Sequence, residues 1–115
     1  MLERRLQSAV AQYLDAVLDR NLARWFHIPN EGKRSKITGA LLKRAGLKAG
    51  LPDCVILYLG KFLAIELKTD RGRVTPSQRD WIEWLSANGF PTVICRSLGG
   101  VEKALREYGV PVRGR

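Results

Sequence analysis

The chain has few of the residues on which zinc sites and disulfide frameworks depend. It contains one histidine, His27, and two cysteines, Cys54 and Cys95, which are not spaced as a CxxC pair. A zinc site is therefore not expected, and both thiols are interpreted as buried and free. No serine hydrolase signature occurs either.

Long apolar runs are also missing. The longest, residues 54–59, is far shorter than the roughly 20 residues that a membrane-spanning helix needs. Residues 1–5 include three charged side chains and begin no apolar segment of the kind found in secretory signals. We therefore expect no membrane span and a cytoplasmic location.

Acidic residues are scarce relative to basic ones. Eleven aspartates and glutamates stand against 20 lysines and arginines, for a formal net charge of +9 at pH 7. Such an excess favours a polyanionic partner, nucleic acid before membrane, although a basic surface without a partner has the same composition. The length of 115 residues suits a single core, so we expect one domain over residues 1–109 and a loose tail over residues 110–115.

Hydrophobic periodicity and turn residues predict elements in the order αβαββαβα. The predicted spans are helix 2–21, strand 23–28, helix 38–45, strands 53–59 and 61–68, a helix from 76 to about 88, strand 91–95 and helix 101–108. This order favours an α/β domain with a mixed central sheet flanked by helices.

The third predicted helix has a clear start. Thr75, Pro76 and Gln78 form a capping-box pattern. Trp81 and Trp84, three residues apart on this helix, are interpreted as core or dimer contacts, with the core favoured over base stacking.

Two acids stand at the ends of neighbouring predicted strands. With a two-residue turn at 59–60, Tyr58 faces Lys61. The same antiparallel register, which a four-residue loop also gives, sets Asp53 opposite Glu66. Their Cβ atoms would then be about 4.5–5.5 Å apart, a span that one cation bound by both carboxylates can bridge. Oxygen ligands of this kind suit Mg²⁺ or Mn²⁺.

Lys68 projects from the same strand face as Glu66, because side chains alternate along a strand. There it can hold a water molecule or stabilise negative charge on phosphorus. An acid and a lysine at a strand end also form ordinary ion pairs, and helix capping alone explains Gln78. Glu3, at the margin of the apolar stripe of the first helix, is a candidate third acid. The joint pattern with Asp53 favours a metal site.

Asp53 after Pro52, followed by the acid-x-lysine motif 66–68, resembles the PD-(D/E)xK nuclease superfamily, which implies a restriction-endonuclease-like fold. Within it the chain looks like a minimal stand-alone member of the VRR-NUC family, over about Glu3 to Tyr108. The motifs that carry this resemblance are Gly50-Leu51-Pro52-Asp53, Glu66-Leu67-Lys68, Pro76-Ser77-Gln78 with Trp81, and Gly89 leading into Val93-Ile94-Cys95-Arg96.

The resemblance implies roles for particular residues. Asp53 and Glu66 would ligate Mg²⁺ or Mn²⁺ together with the backbone carbonyl of Leu67. Lys68 would be the catalytic lysine, and Gln78 and Glu3 would be accessory catalytic residues. The resemblance further implies structure-selective cutting of DNA, with four-way (Holliday) junctions as substrate, a homodimer, and a phage or bacterial origin.

Two alternatives remain at this stage. One is a nucleic-acid-binding module without turnover, against which the complete acid and lysine set argues. The other is a sequence-specific restriction-type endonuclease, although no separate base-reading module is found. For the nuclease and for both alternatives, the candidates for DNA backbone contacts are basic residues of predicted loops: Lys33, Arg34, Lys36, Arg71 and Arg73.

Overall fold

A computed structural model describes residues 3–29 and 36–114 of the chain, and the side chains of residues 4–29 and 38–114. The elements follow the predicted order. The elements are α1 (Glu3–Val17), β1 (Ala23–His27), α2 (Lys36–Arg44), β2 (Cys54–Tyr58), β3 (Lys61–Leu67), α3 (Pro76–Ala87), β4 (Thr92–Cys95) and α4 (Leu98–Glu107). Their ends differ from the predicted ones mainly at α1, which stops at Val17, and at α4. Helix α4 begins three residues early because Ser97 caps it by accepting a hydrogen bond from the Gly100 N–H.

The four strands form one mixed sheet in the order β1-β2-β3-β4. Strands β1, β2 and β3 pair antiparallel, whereas β3 and β4 are parallel. The β2–β3 turn is Leu59-Gly60, with φ of 48° and 74°, as a tight two-residue hairpin requires. Tyr58 pairs with Lys61, so the predicted hairpin register is confirmed.

The core lies on one face of this sheet, between the strands and helices α1 and α4. Alternate residues of β2 and β3 point into it, and the apolar stripe of α1 covers them. Tyr58 extends the packing by donating a 2.9 Å hydrogen bond from its hydroxyl to the carbonyl of Tyr108. This hydrogen bond joins β2 to the residue that follows α4, on the face of the sheet opposite to Glu66. None of the described helices is both long and apolar enough to cross a membrane.

The expectation of a loose tail was wrong for residues 110–114, which the structure describes. Val110 is buried, and the N–H of Asp19 donates to the carbonyl of Pro111 at 3.1 Å. The N–H of Arg113 donates to the carbonyl of Val17 at 2.8 Å. The last carbonyls of a helix have no partner within the helix, and the tail supplies one at the end of α1.

The interpretation of Trp81 and Trp84 as core residues was also wrong. No residue of α3 is buried, and Trp84 is 56% exposed. The two indoles contact each other edge to face, with ring centroids 6.0 Å apart. Helix α3 packs along β4, at the edge of the sheet, and this leaves its apolar residues outside the core. A role in dimer contact stays a prediction.

Candidate active site

Asp53 and Glu66 meet where β2 begins and β3 ends. The pairing of Cys54 with Ile65, continued by one residue, sets Asp53 opposite Glu66. The N–H of Leu67 donates a 2.7 Å hydrogen bond to Oδ2 of Asp53, which joins the two strand ends through the side chain. Asp53 is 6% exposed and Glu66 1%. Two buried carboxylates therefore share one end of the hairpin.

The backbone of Asp53 is held by β1. Its carbonyl accepts a 2.8 Å hydrogen bond from the N–H of Ile28, and Nδ1 of His27 lies 2.9 Å from the same oxygen. His27 donates to this carbonyl in the tautomer that carries the proton on Nδ1. The histidine thus supports the site through the main chain of Asp53.

Lys68 and Gln78 converge on one oxygen of Glu66. Nζ of Lys68 lies 3.8 Å from Oε2 of Glu66, and Nε2 of Gln78 donates to that oxygen at 3.0 Å. The N–H of Lys68 donates to the carbonyl of Cys95 at 3.0 Å, so β4 fixes the lysine backbone. Lys68 is itself only 6% exposed. A buried lysine and two buried carboxylates therefore form one cluster with the half-buried amide of Gln78.

Gln78 performs its capping role at the same time. Its Oε1 accepts from the N–H of Thr75 at 2.9 Å, while its own N–H donates to Oγ1 of Thr75 at 3.2 Å. An amide side chain has both an acceptor and donors, so one glutamine can close the capping box and bind Glu66. Helix α3 is in this way anchored to the acidic cluster.

Gly50 brings the segment before Asp53 against the same helix. Its φ is +85°, and a Cβ there would lie 2.5 Å from the carbonyl carbon and oxygen of Ser77 and 2.8 Å from the nitrogen of Gln78. Only glycine permits so close an approach in this conformation. The sequence showed Gly50 as part of a motif, but no local signal revealed its contact with a helix start more than 25 residues away.

Several of the residues predicted to act at the site lie outside this cluster or outside the residues that the structure describes. Arg71 and Arg73 are exposed in the segment between β3 and α3. The other predicted DNA contacts, Lys33, Arg34 and the side chain of Lys36, lie outside the described residues, as does the side chain of Glu3. Arg96 entered the sequence analysis only as the end of a resemblance motif, without a role of its own, yet its guanidinium binds the segment that follows Lys68.

Cys54 adjoins the two acids without adding a ligand. The pKa of the Cys54 thiol is raised to about 11, mainly by burial and also by the charges of Asp53 and Glu66, against the hydrogen bond with Gln7, which lowers it. Cys54 pairs with Ile65 and points with it into the core, on the strand face opposite to Glu66. The donors at the site are oxygen atoms.

The donor set fits a hard cation. In the part of the chain whose side chains are described, no group of three His, Cys, Asp or Glu residues is arranged to hold a metal ion. The candidate ligands are instead two carboxylates, of Asp53 and Glu66, and the main-chain carbonyl of Leu67. Oxygen donors of this type match Mg²⁺ or Mn²⁺ rather than zinc.

Comparisons with known proteins identify the family of the chain. Residues 4–98 match the family model described as the VRR-NUC domain. A solved structure described as a VRR_NUC domain protein is 25% identical, with a TM-score of 0.72 over 94% of this chain and 88% of that one. None of the curated proteins compared matches the chain. Because the family model spans most of its length, the chain belongs to the VRR-NUC family of nucleases.

Proposed function

We propose that the protein is a metal-dependent, structure-selective DNA endonuclease that hydrolyses phosphodiester bonds. The buried cluster of Asp53, Glu66 and Lys68 is the observation that carries this proposal. Buried ion pairs contribute little to stability compared with apolar side chains of similar volume, so a cluster of this kind is better explained by chemistry than by folding.

Asp53 and Glu66, with the carbonyl of Leu67, are the proposed ligands of Mg²⁺ or Mn²⁺. The N–H of Leu67 occupies Oδ2 of Asp53 and orients the carboxylate, and this leaves Oδ1 for the cation. When bound, such an ion polarises the phosphoryl oxygen and lowers the pKa of a water molecule. Gln78 holds Glu66 in place through Oε2.

Lys68 is the proposed source of positive charge beside the scissile phosphate. Its ammonium lies beside Glu66 in a water-poor environment, where a charge acts more strongly on a phosphate than it does in bulk water. We propose that Nζ binds the attacking water or a non-bridging oxygen of the scissile phosphate as negative charge develops there. Glu3 remains a proposed accessory residue on α1.

Branched DNA is the proposed substrate. The family assignment and the charge of +9 support DNA as a partner. The resemblance of the sequence motifs to small VRR-NUC proteins is the ground for proposing four-way junctions, cut by a homodimer with one site for each strand. Arg71 and Arg73 are the described candidates for phosphate contacts. Binding should weaken steeply with salt, because each neutralised phosphate releases counterions.

The test is incubation of the purified protein with a labelled four-way junction, single-stranded DNA and linear duplex, in Mg²⁺, Mn²⁺ or chelator. Metal-dependent cutting of junctions whose arms have unrelated sequences is expected. Cutting of linear duplex at one sequence would favour a restriction-type enzyme, and binding without cutting in either metal would favour a non-catalytic module. Light scattering that detects only monomer would contradict the dimer.

A further inference from the structure

Arg96 holds the segment that follows Lys68. Its Nη1 donates to the carbonyls of Thr69 at 2.6 Å and Gly72 at 2.7 Å, and lies 3.5 Å from the carbonyl of Asp70. The N–H of Gly72 also donates to the carbonyl of Thr69 at 3.0 Å. One guanidinium therefore gathers the carbonyls of a turn, which we call the 69–73 loop.

This loop packs on the stem of the proposed catalytic lysine. A Cβ on Gly72 would lie 3.4 Å from Cδ of Lys68 and 3.3 Å from Oγ1 of Thr69. The close approach of Gly72 helps to explain why Lys68 is buried at a strand end. A loop in another position would leave the lysine side chain free to turn away from Glu66.

The loop also carries charge. Arg71 and Arg73 flank Gly72, and both are exposed. Because Gly72 is fixed by Arg96 and packed against Lys68, the two neighbouring arginines project from a defined backbone next to the acidic cluster. Arginines on an ordered turn lose less conformational entropy on binding a phosphate than arginines on a mobile loop do.

We propose that Arg96 is a positioning residue that orders the 69–73 loop, so that Lys68 stays aligned with Glu66 and Arg71 and Arg73 contact the DNA backbone beside the cut. This inference rests on the proposed nuclease function and adds to it the part of the surface that receives the DNA strand. Arg96 acts through the loop and does not bind the phosphate itself.

The geometry requires a guanidinium and not merely a positive charge. The donations to Thr69 and Gly72 come from one nitrogen, Nη1, which lies in the rigid plane of the guanidinium, whereas a lysine ammonium ends one bond short of that position on a flexible stem. Arg96→Lys should therefore behave like Arg96→Gln. Direct contact of Arg96 with a phosphate would instead be kept largely intact by Arg96→Lys, since that contact depends on charge.

Trypsin digestion measures how well ordered the 69–73 loop is, independently of nuclease activity, because trypsin cleaves after Arg71 and Arg73. Brief digestion of the full chain, with mass spectrometry of the fragments, should show cleavage at these positions accelerated about tenfold or more in Arg96→Lys and Arg96→Gln, since hydrogen bonds to a charged group are lost. Arg106→Lys and Arg106→Gln are the controls, because Arg106 is exposed, pairs with Glu102 and lies at the other end of α4. They should leave the cleavage unchanged.

Junction binding and single-turnover cutting give the functional readout. Both Arg96 variants should raise the Kd for a labelled four-way junction and lower the cutting rate, each about tenfold, while the Arg106 variants match wild type. Unchanged tryptic cleavage in both Arg96 variants would overturn the inference. So would faster cleavage with unaltered binding and cutting, or wild-type behaviour of Arg96→Lys beside a defective Arg96→Gln. If the wild-type protein neither binds nor cuts DNA, the proposed nuclease function is overturned. This result comes from wild type alone, so it is distinguished from a failure of the inference about Arg96.

Discussion

The N–H of Leu67 binds Oδ2 of Asp53 at 2.7 Å, so the last residue of β3 and the residue before β2 orient each other. One side chain thereby joins the two strand ends that carry the acids. The same residue, Leu67, donates to one proposed ligand and contributes another through its carbonyl. The geometry of the site depends on this hydrogen bond as well as on the charge of Asp53.

Substitutions of Asp53 should separate these two contributions. Asp53→Asn keeps an oxygen that can accept from the Leu67 N–H, whereas Asp53→Ala leaves that buried N–H unpaired, at a cost of about 1–3 kcal/mol. We expect both variants to lose cutting and only Asp53→Ala to lose this stability in urea unfolding. Equal stability of the two variants would argue against the structural part of this account.

Gly50→Ala should destabilise the protein more than Gly89→Ala. Both glycines have φ of +85°, but a Cβ at Gly89 meets nothing within 4 Å, while one at Gly50 collides with Ser77. A positive φ costs roughly 1–2 kcal/mol in both variants. The collision should add about 1–3 kcal/mol at Gly50 and lower the cutting rate, because the start of α3 must shift. Similar free energies of unfolding for the two variants would mean that the close approach has little importance.

Gln78→Ala should lower both stability and activity. The Thr75 hydroxyl still caps the helix, but the lost hydrogen bond from the Thr75 N–H to Oε1 costs about 0.5–1.5 kcal/mol, and the lost hydrogen bond to Glu66 should slow cutting about 10–100-fold. Ser97→Ala is the matched control, because it removes the N-cap of α4 without touching the acids. A Gln78→Ala enzyme as active as Ser97→Ala would restrict Gln78 to helix capping.

Removal of residues 110–115 should destabilise the domain by about 2–4 kcal/mol, from the burial of Val110 and the hydrogen bonds at the end of α1. Removal of residues 114–115 alone is the control and should change the free energy of unfolding by less than about 0.5 kcal/mol. Urea denaturation measures both. An unchanged free energy of unfolding after removal of residues 110–115 would contradict the docking of the tail.

The parts of the site set by local rules were predictable from sequence. The turn at Leu59-Gly60 and the two-residue period of the strands determine the register that brings Asp53 to Glu66. The capping pattern at Thr75 likewise located the start of α3. Both signals depend on residues near each other in the chain.

The parts missed depend on contacts between distant segments. No residue near Val110 indicates that this segment binds the carbonyls at the end of α1. The apolar residues of α3 likewise do not indicate that this helix packs at the edge of the sheet. Arg96 follows a strand without any pattern that indicates a held loop, and its role was therefore not predicted. Long-range pairings of this kind become visible only in three dimensions.

Single-turnover cutting of a labelled four-way junction by wild type, Glu66→Gln and Lys68→Met, in Mg²⁺ or chelator, tests the central claim most directly. We expect metal-dependent cutting by wild type and a loss of at least about 100-fold in each variant, with junction binding and circular dichroism retained. Cutting by either variant within a few-fold of the wild-type rate would contradict the assignment of this cluster as the active site.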